Sequence, residues 1–274
     1  MRGIKAIFIR NMINFTRDKM RFIFTIFMSV FFLFIFSFVM KASISGMDHP
    51  INYLISGIII MTVFQTALNS SMSTIEDISS GFMKEILVSP VTRSQISIGQ
   101  ILSSTVISVC QGILIVIMGV FMGLNLDLIH LVEMLGVMVL VGATFSSMGL
   151  YLATLARNSG NYQILISVVV MPLTFLSGAY IPTTVMPAFL RPIVYLNPLT
   201  YTTAIFRFIT LKMEGLTSAA LVKAGVAYNV GGFTILPYMG LLIISIIGIA
   251  FFMLCVNKFN TADFSKVKVF KHQH

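Results

Sequence analysis

Six long apolar runs divide the chain, at residues 22–40, 51–71, 96–124, 134–156, 162–181 and 235–256, and none carries Asp, Glu, Lys or Arg in its interior. About 20 mostly apolar residues suffice for a helix to cross the hydrocarbon core of a bilayer. The runs are long and do not alternate as barrel strands would, and backbone polar groups in lipid must be satisfied within the segment, so the pattern predicts helices. The expected fold is an all-α integral membrane protein with six transmembrane helices. The first run is read as a retained span, because its apolar stretch exceeds that of a signal peptide and no A-x-A cleavage site follows. A further stretch, 188–211, is fairly apolar but is interrupted by Arg191, Pro192, Pro198 and Arg207. It reads as an outer re-entrant hairpin between the fifth and sixth spans rather than a seventh crossing.

Residues 3–21 have a different pattern. Ile4, Phe8, Met12 and Phe15 share one side of a helical wheel, with Arg10, Asn14, Arg17 and Arg21 nearly opposite. That arrangement predicts an amphipathic helix lying on the membrane surface.

Composition narrows the class. Of 274 residues, 57% are hydrophobic and 10% charged, against about 25% charged in soluble domains. A soluble enzyme, a disulfide scaffold and a disordered tail are thereby excluded. The net charge of +9 comes from basic residues gathered near the ends, which fits anionic headgroups and not nucleic acid. Arg2, Lys5, Arg10, Arg17, Lys19 and Arg21 precede the first run; Lys258, Lys266, Lys268 and Lys271 follow the last; Lys84, Arg93 and Arg157 lie in alternate loops. Both termini are therefore expected on the cytoplasmic side. Tyr53, Tyr151, Tyr162, Tyr180 and Tyr238 fall near run ends, as an aromatic belt would place them in a chain with no Trp.

Catalytic sets are missing from the sequence. It has no H-E-x-x-H, no G-x-S-x-G and no Gly-Lys pair from which a phosphate loop could be built. The histidines His49, His130, His272 and His274 are scattered, and no metal site is expected. Cys110 and Cys255 sit apart in apolar runs and read as packing residues. The absence of an intramembrane acid argues against an ion-coupled carrier. Gly119 with Gly123, and Gly142 with Ser146, are small-residue pairs suited to close helix contact.

Two regions are more than hydrophobic. In the loop 74–93, Glu76 and Asp77 open a short helical stretch and Ser89-Pro90 closes it. Phe82, Ile86 and Leu87 give it an apolar face, and Lys84 and Glu85 give it charge. The second region runs from Pro172 through Phe175, Leu176, Ser177, Gly178 and Pro182 to Pro187, and continues at Asn197, Pro198, Tyr201 and Arg207. Its prolines are expected to break the fifth helix near the outer face, and Asn197-Pro198 reads as a turn before another short helix.

In these motifs the chain resembles the permease subunit of a type-2 ATP-binding-cassette (ABC) transporter, of the bacterial exporter type. The matching residues are Glu76, Asp77, Gly81, Lys84, Glu85, Leu87, Ser89, Pro90 and Arg93 in the first loop, 172–187 at the outer break, and the N-P-L-T-Y of 197–201 with Arg207 downstream. The resemblance implies a cytoplasmic connecting helix over 1–21, a membrane domain over 22–256 and a basic tail over 257–274. Within the membrane domain it implies a coupling helix at 76–89 and an outer re-entrant segment at 182–210. It further implies a partner ATPase subunit that binds ATP and magnesium, a second permease copy and location in the bacterial inner membrane. The implied function is export of a drug-like, lipid or other amphiphilic substrate by a chain that is not itself an enzyme. A lipid-linked polysaccharide as cargo, or a scaffold or carrier working without ATP, are the alternative readings.

Overall fold

The computed structural model describes residues 2–43, 50–156 and 158–261; His49, Arg157, Lys266, Lys268, Lys271, His272 and His274 lie outside them. The elements in chain order are α1 (Arg2–Arg17), α2 (Lys19–Ser43), α3 (Pro50–Asn69), α4 (Met72–Ser79), α5 (Phe82–Val88), α6 (Arg93–Phe121), α7 (Leu128–Leu155) and α8 (Ser159–Leu176). Two 3-10 turns, Thr183–Val185 and Ala188–Leu190, lead into α9 (Arg191–Leu196), α10 (Pro198–Thr210) and α11 (Ser218–Lys223). A hairpin of β1 (Tyr228–Val230) and β2 (Phe233–Ile235) precedes α12 (Pro237–Thr261). Among the described residues five helical stretches are long and apolar enough to cross a membrane: Ile51–Ser79, Arg93–Phe121, Leu128–Leu155, Ser159–Leu176 and Pro237–Thr261. α2 adds a shorter apolar stretch, Ile23–Phe36. This is an all-α membrane protein.

α3 is the buried centre. Leu54, Ile55, Ile59, Ile60, Val63 and Phe64 are all enclosed, because α3 packs against α6 and α7 and also meets α2, α10 and α8. α7 lies along α6 and α12, and α10 fills the space between α12, α3 and α7. α8 and α12 instead turn Ile164, Val168 and Met171, and Leu242, Ile246 and Ile249, outward. Such stripes are no liability where the solvent is hydrocarbon.

Close approach explains the small residues. A Cβ on Gly142 would lie 2.7 Å from Ser108 Oγ of α6, and one on Gly119 2.8 Å from the Ile55 side chain of α3, so both glycines serve contacts within the chain. A Cβ on Gly57 would fall 2.2 Å from the Ala179 carbonyl oxygen, a backbone atom that cannot swing away.

Several expected features differ. α8 stops at Leu176, short of 181, and Pro172 lies within it instead of ending it. A proline deletes one ladder bond, which a membrane helix tolerates; the chain turns only past the Ser177 cap, at Gly178 (φ 82°). Of the tyrosines assigned to a belt, Tyr53, Tyr162 and Tyr180 are buried. The Tyr162 hydroxyl donates to the Leu68 carbonyl at 2.8 Å, so it ties α8 to α3 instead of facing headgroups. The hairpin, in register Tyr228↔Ile235, Asn229↔Thr234 and Val230↔Phe233, was not expected.

Near the start of α7, Lys212 Nζ reaches Asp127 at 2.7 Å, while His130 Nε2 lies 3.2 Å from Glu214. The hydrogen bond from Lys212 and then its charge hold the Asp127 carboxyl below the usual carboxylate range. A carboxyl with a depressed folded pKa stabilises above its unfolded value and loses that contribution as pH falls.

Two outcomes are expected. Gly57→Ala should lower stability by about 1–3 kcal/mol, read as a lower melting temperature of the detergent-solubilised chain. Asp127→Asn should remove part of the acid sensitivity below about pH 4 and leave stability near pH 7 only slightly reduced, as a pH series of melting curves would show.

Candidate functional site

Two assemblies of polar residues stand at the two ends of α3. At one end, α3 runs through Ser70 and Ser71 into α4, and Gly81 in the left-handed conformation (φ 84°) breaks the chain again before α5. The expected single helical stretch over 76–89 is therefore two short helices meeting at Gly81. Ile75 and Ile78 of α4 and Met83 of α5 are buried, which fixes the pair to the bundle. Glu76, Lys84, Glu85 and Val88 point away from it, together with Phe82. The Leu87 side chain lies outside what the structure describes. Ser89 caps α5 by donating its hydroxyl to the Ile86 carbonyl, and Pro90 follows. The Thr92–Gln95 capping box then starts α6, and Arg93 Nη1 donates to the Asn260 carbonyl of α12 at 2.9 Å.

α1 is tied to this end by polar contacts. Arg10 Nη2 meets Asp77 Oδ2 at 2.6 Å, and the guanidinium lies 5.7 Å from the centre of the Phe82 ring. Asn11 is buried and donates to Gln100 Oε1 and to Ser103 Oγ, the latter at 2.7 Å. Ile7 packs on Gly99 of α6. The face α1 turns to the bundle is thus centred on Ile7 and Asn11, while Ile4, Phe8, Met12 and Phe15, the side expected to lie on the membrane surface, are half-buried. Asn11 escaped sequence reading because a lone amide on an amphipathic helix carries no signal until its partners are known.

At the other end, the chain leaving α8 meets α3 and α10. The Arg207 guanidinium of α10 is fully buried. Its Nη2 donates to the Gly178 carbonyl at 3.1 Å and to the Ala179 carbonyl at 3.4 Å, and its Cζ lies 3.3 Å from the Tyr53 ring centroid. The Tyr53 hydroxyl also donates to the Gly178 carbonyl. Among the described residues no carboxylate pairs with Arg207. Its charge is met by carbonyls past the end of α8, where the helix dipole is negative, and by an aromatic face.

The neighbouring predicted residues serve the same junction. Ser177 donates to the Thr174 carbonyl at 2.7 Å and accepts from the Ala179 amide at 3.2 Å. Asn197 caps α10 through the Leu199 amide and donates to the Leu173 carbonyl of α8 at 2.9 Å. Tyr201 donates to the Tyr195 carbonyl at 2.6 Å. Pro182 and Pro187 each precede one of the 3-10 turns. Pro172 and Phe175 are exposed on α8 and Leu176 is half-buried, but the Leu176 carbonyl accepts from Thr200 of α10 at 3.4 Å and the Phe175 ring lies 6.5 Å from that of Tyr180. Tyr53, supplied by α3, was missed as a partner because its place in the chain suggested a membrane boundary.

The fold and these two ends define a multi-pass membrane protein with a helical knob at one end of its central helix and a welded break at the other. A sequence model of the ABC-2 type transporter family matches residues 2–211. The chain belongs to that family. It is 33% identical over 181 residues to a chain named as transport permease ycf38 in Cyanophora paradoxa, covering 64% of this chain and 61% of that one. It is 27% identical over 161 residues, 57% of this chain and 42% of the relative, to a protein of Escherichia coli (strain K12) named for a multidrug ABC transporter permease, YbhR. Inner membrane transport permease YhhJ of the same strain is 30% identical over 138 residues, 49% of this chain and 36% of its own. The chain thus spans about three fifths or less of the length of these relatives.

Arg207→Lys keeps the charge but loses the planar fork and the stacking. With one carbonyl left unmet it should destabilise the detergent-solubilised chain by about 1–3 kcal/mol, visible as a fall in melting temperature. An unchanged melting curve would show that the junction holds without the guanidinium.

Proposed function

We propose that this chain is the membrane-spanning permease subunit of an ATP-driven exporter of an amphiphilic substrate. ATP and magnesium are bound by a separate ATPase subunit, and two permease copies pair. The observation that carries this reading is the α4–α5 knob. Its buried side, Ile75, Ile78 and Met83, is rooted in the bundle, while Glu76, Phe82, Lys84 and Glu85 face outward. Such a piece fits a groove on a soluble partner and passes force to the helices behind it. α4 continues α3, and the α5 end leads through Arg93 into α6, so a push on the knob tilts both together. Arg10 and Asn11 bring α1 into the same unit.

For work to be transmitted, the ATPase must hold the knob differently in its nucleotide-bound and nucleotide-free states. Membership of the transporter family, with relatives named as transport permeases, supports the assignment. In this reading the α1, α4 and α5 end faces the cytoplasm, in the inner membrane of a bacterial cell, and the chain performs no catalysis itself.

Glu85 is exposed on α5 and makes no side-chain hydrogen bond or ion pair with a described residue, so reversing its charge tests docking with little effect on the fold. In vesicles containing permease and ATPase, Glu85→Lys should reduce permease-stimulated ATP hydrolysis and export by about tenfold or more with normal membrane insertion. Wild-type coupling in that variant would remove the basis of the proposal.

A further inference from the structure

Between α2, α3 and α6 runs a groove of two adjoining cavities. One, of about 290 Å³, is mixed, with Thr25, Thr62, Gln65 and Asn69 lining it beside Phe24 and Met28. A second, also about 290 Å³, is lined by Val30, Leu33, Phe34, Ile55, Ile115 and Met118 and is almost wholly apolar. Ser29 and Ile58 line both, so the cavities adjoin; Gln65 and Asn69 stand towards the α4 end of α3, and the apolar cavity lies beside its first half. Among the described residues no Asp, Glu, Lys, Arg or His lines either cavity.

Some of the polar groups are used by the fold. Ser29 and Thr62 share a hydrogen bond at 3.2 Å, and Thr66 donates to Gln111. Such pairs hold helices together in lipid. Gln65 and Asn69 differ. Both face the cavity, are half-buried and make no side-chain hydrogen bond with a described residue. Two half-buried amides turned into a cavity and unused by packing can receive a hydrogen-bonding guest.

We propose that this groove binds an amphiphile whose hydrogen-bonding end carries no formal charge, with that end among Gln65, Asn69 and Gln111 and its apolar tail between Ile55 and Met118. The proposal rests on the exporter reading above and names the chemical class of its cargo. A charged head would meet no counter-charge from a described residue in either cavity and would leave its hydration shell uncompensated. The tail gains little in leaving lipid for an equally apolar slot, so the polar end decides occupancy and the slot decides shape.

The test uses the full-length chain alone in lipid nanodiscs, with no ATPase. The probe is monooleoylglycerol with a photoreactive diazirine on its acyl chain; the competitors are unlabelled monooleoylglycerol, the anionic oleoyl lysophosphatidate and a quaternary oleyl ammonium. Labelling should concentrate on peptides containing Ile55 and Met118, and the two charged competitors should be weaker than the neutral one by about tenfold. The double variant Gln65→Leu with Asn69→Leu should lose about five-fold or more of the labelling with an unchanged melting temperature, because neither amide supports the fold. Labelling spread evenly over the lipid-facing sides of α8 and α12, equal competition by the charged amphiphiles, or full labelling of the double variant would each overturn the proposal. The competition arm needs no variant, so a poorly folding mutant does not shelter it. With no ATPase present, failure here leaves the docking role of α4 and α5 untouched, and failure of the Glu85→Lys test leaves binding in this groove untouched.

Discussion

The structure depends on how the break after α8 is made tolerable where water is scarce. A helix ending near the membrane leaves carbonyls without partners, and each unmet group there costs several kcal/mol. Arg207 answers this by placing its guanidinium on the carbonyls of Gly178 and Ala179. Tyr53 covers the flat face of the guanidinium and donates to the Gly178 carbonyl as well. The arginine would be an expensive burial anywhere else; here its Nη2 meets two of the orphan acceptors, while Nε has no hydrogen-bond partner among the described residues. α3, α8 and α10 meet at this one point, and the absence of a side chain at Gly57 is what lets the Ala179 carbonyl come so close.

The same helix, α3, carries the opposite end. There it continues through α4 into a knob whose buried side belongs to the bundle and whose other side faces outward. Arg10 and Asp77 join α1 to that knob, and Asn11 joins α1 to α6. A central helix gripped at both ends by specific polar contacts suits the force-transmitting role proposed for the knob. Apolar packing alone would let helices slide, because lipid solvates the released surfaces as well as a neighbouring helix does.

Much of this was legible beforehand. Long charge-free runs report helices in lipid directly, since length and hydropathy are local properties. The two motif regions also stood out, because prolines and charges are sparse in such a chain. Other features were hidden. The hairpin 228–235 turns on Gly231-Gly232, both at positive φ, and such a pair between β-branched and aromatic residues is a recognised turn signal. It was overlooked because the stretch is short and lies beside stronger apolar runs. Pro172 misled in the other direction: a proline marks the loss of one amide donor, and the place where α8 ends was set by Gly178 instead.

By itself the sequence determined the solvent, the helical class, the approximate spans and the positions of the two unusual regions, because each follows from residues close together in the chain. Only the tertiary structure decided which polar groups met. Arg207 and Tyr53, Asn11 and Gln100, and Gln65 facing an open cavity while Thr66 beside it finds Gln111 are all matters of which helix faces which. A side chain's polarity is written in its residue type, but whether that polarity is satisfied depends on partners tens of residues away.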